Sequence, residues 1–161
     1  TMAELRKAYP KSVVARIMPN TPVKLRKGVS CIAEGGEAAI PLFSLVGRVF
    51  VLPESQMNLA TATIGVTPAY VAVLVEAMAD AAALNGLPVD MAADMFCETL
   101  IGTAALIANR GFNTLAVRRG VASPGESTVR GVAALERCGI RPMLQEAMKD
   151  VLTRVSQPYH G

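Results

Sequence analysis

Thr67-Pro-Ala-Tyr-Val-Ala-Val-Leu-Val-Glu-Ala-Met-Ala-Asp-Ala-Ala-Ala-Leu-Asn-Gly86-Leu-Pro88 decides the fold class. Pro68 suits the first helical position, where a backbone N–H has no partner to lose, and Thr67 is the expected N-cap. Gly86 stands where a helix ends on a left-handed residue. The spacing predicts a helix from Pro68 to about Asn85. Pro88 opens another, to about Asn109, with Gly111 behind it. Upstream, Glu54 to about Ala62 is expected to be helical. Downstream come a short segment over Thr114 to Arg119, a helix opened by Ser123-Pro124-Gly125-Glu126 and closed near Cys138-Gly139, and a last helix from Pro142 to about Val155. From residue 54 onward the chain therefore reads as all-α.

Residues 1–53 read as mixed α/β. Ala3 to Ala8 has the character of a helix end. Ser12-Val-Val-Ala-Arg-Ile-Met18 is β-branched and apolar, a strand stopped by Pro19. Val29 to Ala33 and Arg48 to Leu52 are two more short strands. Glu37 to Leu45 holds a short helix whose start is limited by Pro41. Three strands make a poor open sheet, so further strands are expected before residue 1. There is no internal repeat.

Composition narrows the function. Hydrophobic residues are 52% and charged ones 18%, against about 25% charged in typical domains. A soluble chain this apolar hides its surplus in a subunit interface, so an oligomer is expected. The net charge of +3 and an aromatic content of 4% offer neither a basic groove nor stacking platforms, which argues against nucleic acid. Residues 1–27 carry seven of the sixteen Lys and Arg, whereas none lies between Val49 and Asn109. Leu59 to Leu84 is the most apolar stretch, but Pro68, Glu76 and Asp80 interrupt it, so no membrane span is expected. Cys31, Cys97 and Cys138 form no CxxC, and the lone His160 completes no zinc set. A reducing, cytoplasmic location is expected. Glu4, Arg6, Lys7 and Lys11 break up any signal-peptide core.

Three loops have chemical potential. In Val121-Ala-Ser-Pro-Gly-Glu-Ser-Thr128, Ser123 and Glu126 make a capping box. The amides of Gly125, Glu126 and Ser127 stand at the positive end of a helix dipole, with the hydroxyls of Ser123 and Thr128 beside them. That is a seat for a carboxylate or phosphate, or simply a capped helix start. Ile64-Gly-Val-Thr-Pro-Ala-Tyr70 is either a turn before a helix or a backbone lid over a ligand with Tyr70 behind it. Met18-Pro-Asn-Thr-Pro22 follows a strand, and ligands of open α/β sheets bind beyond strand C-termini, so Asn20 and Thr21 are candidate cofactor donors as well as plain loop residues. Glu76 and Asp80, at i and i+4, serve either as a catalytic carboxylate pair or as interface groups. The run Lys24, Arg26, Lys27 meets a nucleotide phosphate or only solvent. The dinucleotide fingerprint GxGxxG is absent.

In order and spacing, these segments resemble the pyrroline-5-carboxylate reductases. The matches are Val14-Ala-Arg-Ile-Met-Pro-Asn-Thr-Pro22, Pro68-Ala-Tyr70, Glu76-Ala-Met-Ala-Asp-Ala81, Gly86-Leu-Pro88, Val121 to Thr128, and Leu135-Glu136 before Cys138-Gly139. They span about Glu4 to Arg154.

The resemblance implies a two-domain, NAD(P)H-dependent reductase of a cyclic imino acid in proline biosynthesis. Residues 1–53 would be the C-terminal edge of a Rossmann-like NAD(P)-binding domain. Residues 54–161 would be an all-helical dimerisation and substrate domain, similar to that of 6-phosphogluconate dehydrogenase and interlocked with a second copy as a homodimer or an oligomer of dimers. It further implies that Ser123, Gly125, Glu126 and Ser127 hold the substrate carboxylate and that Thr128, the catalytic assignment, hydrogen-bonds the ring nitrogen. Asn20, Thr21, Gly65 and Pro68 would line the cofactor, NADPH or NADH. Where the family has SGSGPAY, this chain has Ile64-Gly-Val-Thr-Pro-Ala-Tyr70, and where it has SPGGTT, this chain has Ser123-Pro-Gly-Glu-Ser-Thr128. Gly111 replaces a frequent acid and Arg119 a usual Asp. The alternative is a related dimerisation domain that is inactive or differently specific. Relatives of 6-phosphogluconate or hydroxyisobutyrate dehydrogenase use a lysine in this domain, and none lies between Lys27 and Lys149 here.

Overall fold

The computed structural model describes residues 1–122 and 127–157. They form a small three-stranded sheet followed by helices, the mainly α class expected. Two compact units share them: Thr1–Tyr70 with the chain from Glu146 onward, and Val71–Gln145.

In the first unit, strands β1 (Ile17–Pro19), β2 (Gly28–Ala33) and β3 (Gly47–Leu52) lie in that spatial order. β1 runs antiparallel to β2, with Ile17 opposite Ile32, and β3 runs parallel to β2, with Gly28 opposite Gly47. β1 is shorter and later than the strand expected over Ser12–Met18. Its partner ends at Ala33, whose N–H reaches back to the Arg16 carbonyl at 2.9 Å, so residues 12–15 have no strand to pair with. Helix α1 (Met2–Ala8) starts with a capping box between Thr1 and Glu4. The helix expected in Glu37–Leu45 is a 3₁₀ turn, Glu37–Ala39, leading into the single turn α2 (Ile40–Phe43), because Pro41 has no N–H to extend it.

The core of this unit is aliphatic: Met2, Cys31, Ala33, Met57 and Ala60, flanked by Leu5, Val14, Met18, Leu52 and Ile64. Glu54 ties α1 to it from a distance in sequence. Its Oε1 accepts the Met2 N–H at 2.6 Å and faces Arg16 at 3.4 Å, while Arg16 also donates to Asn58 at 2.9 Å. The Met2 hydrogen bond, ahead of Arg16, holds the Glu54 carboxyl below its ordinary value. Met57 sits at the cluster's centre, 1% exposed. Met57→Ala is expected to lower the unfolding free energy by about 3 kcal/mol, read by urea titration of the circular dichroism signal.

From Glu54 to Ala83 the chain is helical without interruption. It begins as a 3₁₀ turn, Glu54–Gln56, becomes α3 (Met57–Ala60), widens into a π-turn over Thr61–Gly65, and continues as α4 (Thr67–Ala83). Thr67 is therefore not an N-cap. Its hydroxyl donates backward to the Thr63 carbonyl, inside an existing helix. The π-turn accommodates Pro68, which has no N–H for the preceding turn.

Helix α5 (Val89–Asn109) follows Gly86, which takes φ +93°, and Pro88 at the N-cap. Helix α6 (Thr114–Gly120) is capped by Asn113, whose Oδ1 accepts the Ala116 N–H at 2.9 Å. Helices α7 (Ser127–Arg137) and α8 (Ile140–Val155) complete the chain. Only Ala79 of α4 and Ala92 of α5 are buried. Exposed instead are Val73, Met78, Met91, Met95 and Ile101.

The segments Glu54–Ala83 and Val89–Asn109 are long and apolar enough, by length and composition, to cross a membrane. This corrects the expectation that Pro68 and two acids break the apolar run. The π-turn carries the helix past Pro68.

Candidate active site

The loop after β1 is built around Asn20. Its side-chain Oδ1 accepts the Val29 N–H at 2.8 Å, and its own N–H donates to the Val29 carbonyl at 3.1 Å. One residue thus engages both the N–H and the carbonyl of Val29 at the start of β2. Thr21 then opens a 3₁₀ turn, Thr21–Leu25, with Pro22 in its first positions and Arg26 closing it in the left-handed region at φ 57°. Because β1 is antiparallel, Asn20 and Thr21 lie where β2 and β3 begin. The rule that ligands gather beyond the C-terminal ends of parallel strands therefore does not apply to them.

The π-turn packs against β1. A Cβ on Gly65 would come within 2.6 Å of the terminal methyl of Met18, two residues before Asn20. The sheet and the helix thereby bring the Asn20–Thr21 loop and the Gly65–Pro68 turn into one unit. The threonines around this turn bond to their own helix: Thr61 donates to the Met57 carbonyl at 3.0 Å and Thr63 to that of Leu59 at 2.8 Å. With Thr67 doing the same, these hydroxyl protons are committed to the backbone. Tyr70 is held by its hydroxyl, which donates to the Ala147 carbonyl of α8 at 3.5 Å.

Sequence reading missed an apolar cleft of about 290 Å³ between the sheet and the helix, lined by Val29, Cys31, Phe50, Leu52, Leu59 and Ile64. The signal was available in the alternation of Val29 with Cys31 and of Phe50 with Leu52, which puts all four on one sheet face. Burial pushes the Cys31 thiol above its ordinary value.

The second unit contains the start of α7. Ser127 is exposed and Thr128 half-buried, as the first two residues of that helix. The expected capping box and the site residues Ser123, Gly125 and Glu126 lie outside the described residues. Next to Ala122 and Val129 is a cleft of about 420 Å³, also lined by Arg118, Arg119 and Glu136. Glu136 receives Arg141 through three contacts of 2.8 to 3.0 Å and Arg118 at 3.9 Å. The Arg141 hydrogen bonds, against the opposing effect of desolvation, hold the Glu136 carboxyl below its ordinary value. Glu76 and Asp80 are exposed on α4 and, among the described residues, enter no ion pair.

A family model described as pyrroline-5-carboxylate reductase dimerisation matches residues 54–157. The chain is 35% identical to a pyrroline-5-carboxylate reductase of Synechocystis, over 96% of this chain and 60% of that one. It is 33% identical to the enzyme of the same name from Methanosarcina acetivorans, over 84% of this chain and 53% of that one. Among solved structures, a pyrroline-5-carboxylate reductase from Coxiella burnetii superposes with a TM-score of 0.90 at 27% identity, covering 97% of this chain and 61% of its own. A Plasmodium falciparum pyrroline carboxylate reductase with NADP bound shares the fold, with a TM-score of 0.84 at 22% identity over 96% of this chain and 65% of its own. The chain thus spans about 60% of the length of the Synechocystis relative.

Proposed function

The chain belongs to the pyrroline-5-carboxylate reductase family, matched over its dimerisation domain, and from that membership we propose that it is the C-terminal part of an NAD(P)H-dependent reductase converting pyrroline-5-carboxylate to proline. The family match over residues 54–157 carries this reading. Its start at residue 54 supports a boundary between a cofactor-domain edge, 1–53, and a helical dimerisation and substrate domain, 54–161. The open faces of α4 and α5 support a homodimer, because a second copy covers apolar helix surface that the chain leaves uncovered. The proposal places that assembly in a reducing cytoplasm, with neither membrane nor nucleic acid as partner.

In this proposal Ser123 and the amides of Glu126 and Ser127, with Gly125 allowing close approach, hold the substrate carboxylate. Thr128 bonds the ring nitrogen. Asn20, Thr21, Gly65 and Pro68 line the nicotinamide end of the cofactor. The packing of Gly65 on Met18 supports grouping these four. They suit an amide-bearing ring, with polar groups at Asn20 and Thr21 and backbone at Gly65. The chain has no GxGxxG, so a pyrophosphate cradle is not among its own residues. A bound nicotinamide supplies hydride to the imine carbon; NADP(H) is favoured by the Plasmodium relative. The protein's part is orientation and electrostatics.

The test is pyrroline-5-carboxylate-dependent oxidation of NADPH and NADH by the product of the complete reading frame that carries this chain. Oxidation with proline as product supports the proposal. No oxidation with any cyclic imino acid overturns it. Glu126 adds a check on the anion seat. A carboxylate where a substrate carboxylate approaches opposes binding, so Glu126→Gly is expected to tighten a small carboxylate ligand about tenfold in calorimetry. Unchanged or weaker binding would mean that Glu126 serves only the helix start.

A further inference from the structure

Charge is segregated along the helices. Residues 49–109 hold six acids and no Lys or Arg, whereas residues 110–161 hold eight Lys and Arg against four acids. In α5 the acids Asp90, Asp94 and Glu98 recur every fourth residue, which places them on one helix face, and all three are exposed. The helix dipole accounts for Asp90, in the first turn, but fades before Asp94 and Glu98. Exposed Met91 and Met95 stand beside this stripe. Among the described residues none of the three acids enters an ion pair.

The cleft between α6 and α7 has the opposite character. Its lining combines apolar Ala122, Val129, Val132 and Ala133 with charged Arg118, Arg119 and Glu136. Arg141 occupies the Glu136 carboxylate in bidentate fashion, so Arg118 is left with a 3.9 Å contact and Arg119, among the described residues, with no ion pair. The cleft is net positive with apolar groups in its lining, and the stripe is net negative with methionines beside it.

We infer that the acidic stripe Asp90, Asp94, Glu98 of one copy docks in the Arg118–Arg119 cleft of a second copy. This rests on the homodimer of the proposed function and names the surfaces that select it. In a two-fold dimer the contact occurs twice, stripe to cleft and cleft to stripe, so one pair of complementary surfaces does double duty. The charges set register and exclude wrong pairings, while the apolar helix faces supply burial.

The test is a charge-swap experiment by sedimentation equilibrium on the 161-residue chain. One variant carries Asp90→Lys and Asp94→Lys, and the other Arg118→Glu and Arg119→Glu. Each alone faces like charge at both contacts and is expected to dimerise at least tenfold more weakly than the unmodified chain. Mixed one to one, the two restore opposite charge at both contacts, and a heterodimer within threefold of the unmodified affinity is expected. Variants that self-associate as tightly as the unmodified chain overturn the inference and leave the homodimer standing. Weakened variants that fail to rescue each other when mixed also overturn it. An unmodified chain that stays monomeric overturns the homodimer itself.

Discussion

Gly47→Ala is expected to lower the unfolding free energy by about 3 kcal/mol, a large effect for one methyl group. Gly47 opens β3 opposite Gly28, in a parallel register that brings the two backbones together. A Cβ at Gly47 would stand 2.6 Å from the Gly28 carbonyl carbon and 2.7 Å from its nitrogen, and all of these are main-chain atoms with no rotamer to escape into. Gly28 cannot retreat, since the backbone of Val23 lies 2.8 to 2.9 Å from where its own Cβ would be. The only relief is to part β2 from β3. That would also disturb Val29, which Asn20 brackets, so the loop assigned to the cofactor should loosen with the sheet. Urea unfolding of the two proteins measures the difference, and a loss below about 1 kcal/mol would show that the strands separate freely.

The second large effect is chemical. Thr128→Val keeps the β-branched shape of a half-buried residue in the first turn of α7 and removes only its hydroxyl. Reduction of a C=N bond puts hydride on carbon and leaves an amine on nitrogen, so in the proposed site the Thr128 hydroxyl, bonded to that nitrogen, would hold its proton in place. The variant is expected to lose about 100-fold in kcat with KM changed little, within the usual range for a positioned proton donor. Steady-state kinetics on the complete reductase reads this out. A loss below threefold would move the proton-handling role to another group.

Several elements were legible in the sequence because their punctuation is local. Pro88 and Gly111 bound α5 and Gly86 ends the turn before it, each through the chemistry of one or two residues. β2 and β3 fall within a residue of their expected limits, since β-branched runs bounded by glycine leave few choices. The π-turn was not legible. Thr67-Pro68 has the form of a helix start, and only the packing of Gly65 on Met18, a contact distant in sequence, makes the chain arrive there already helical. The same holds for Glu54, whose carboxylate anchors Met2 across 52 residues. The antiparallel run of β1 depends on pairing as well, and it alters where Asn20 stands without altering which residue it is. Motifs thus nominated candidate site residues, whereas the placement of the described ones depended on contacts between segments.

The uncovered faces of α4 and α5 are proposed to form an interface between two copies. Sedimentation equilibrium of the chain at micromolar concentration tests it most directly. A mass of twice 16.9 kDa, with hydrogen exchange slowed across α4 and α5, is the predicted result. A stable species of 16.9 kDa whose helices exchange freely would contradict it.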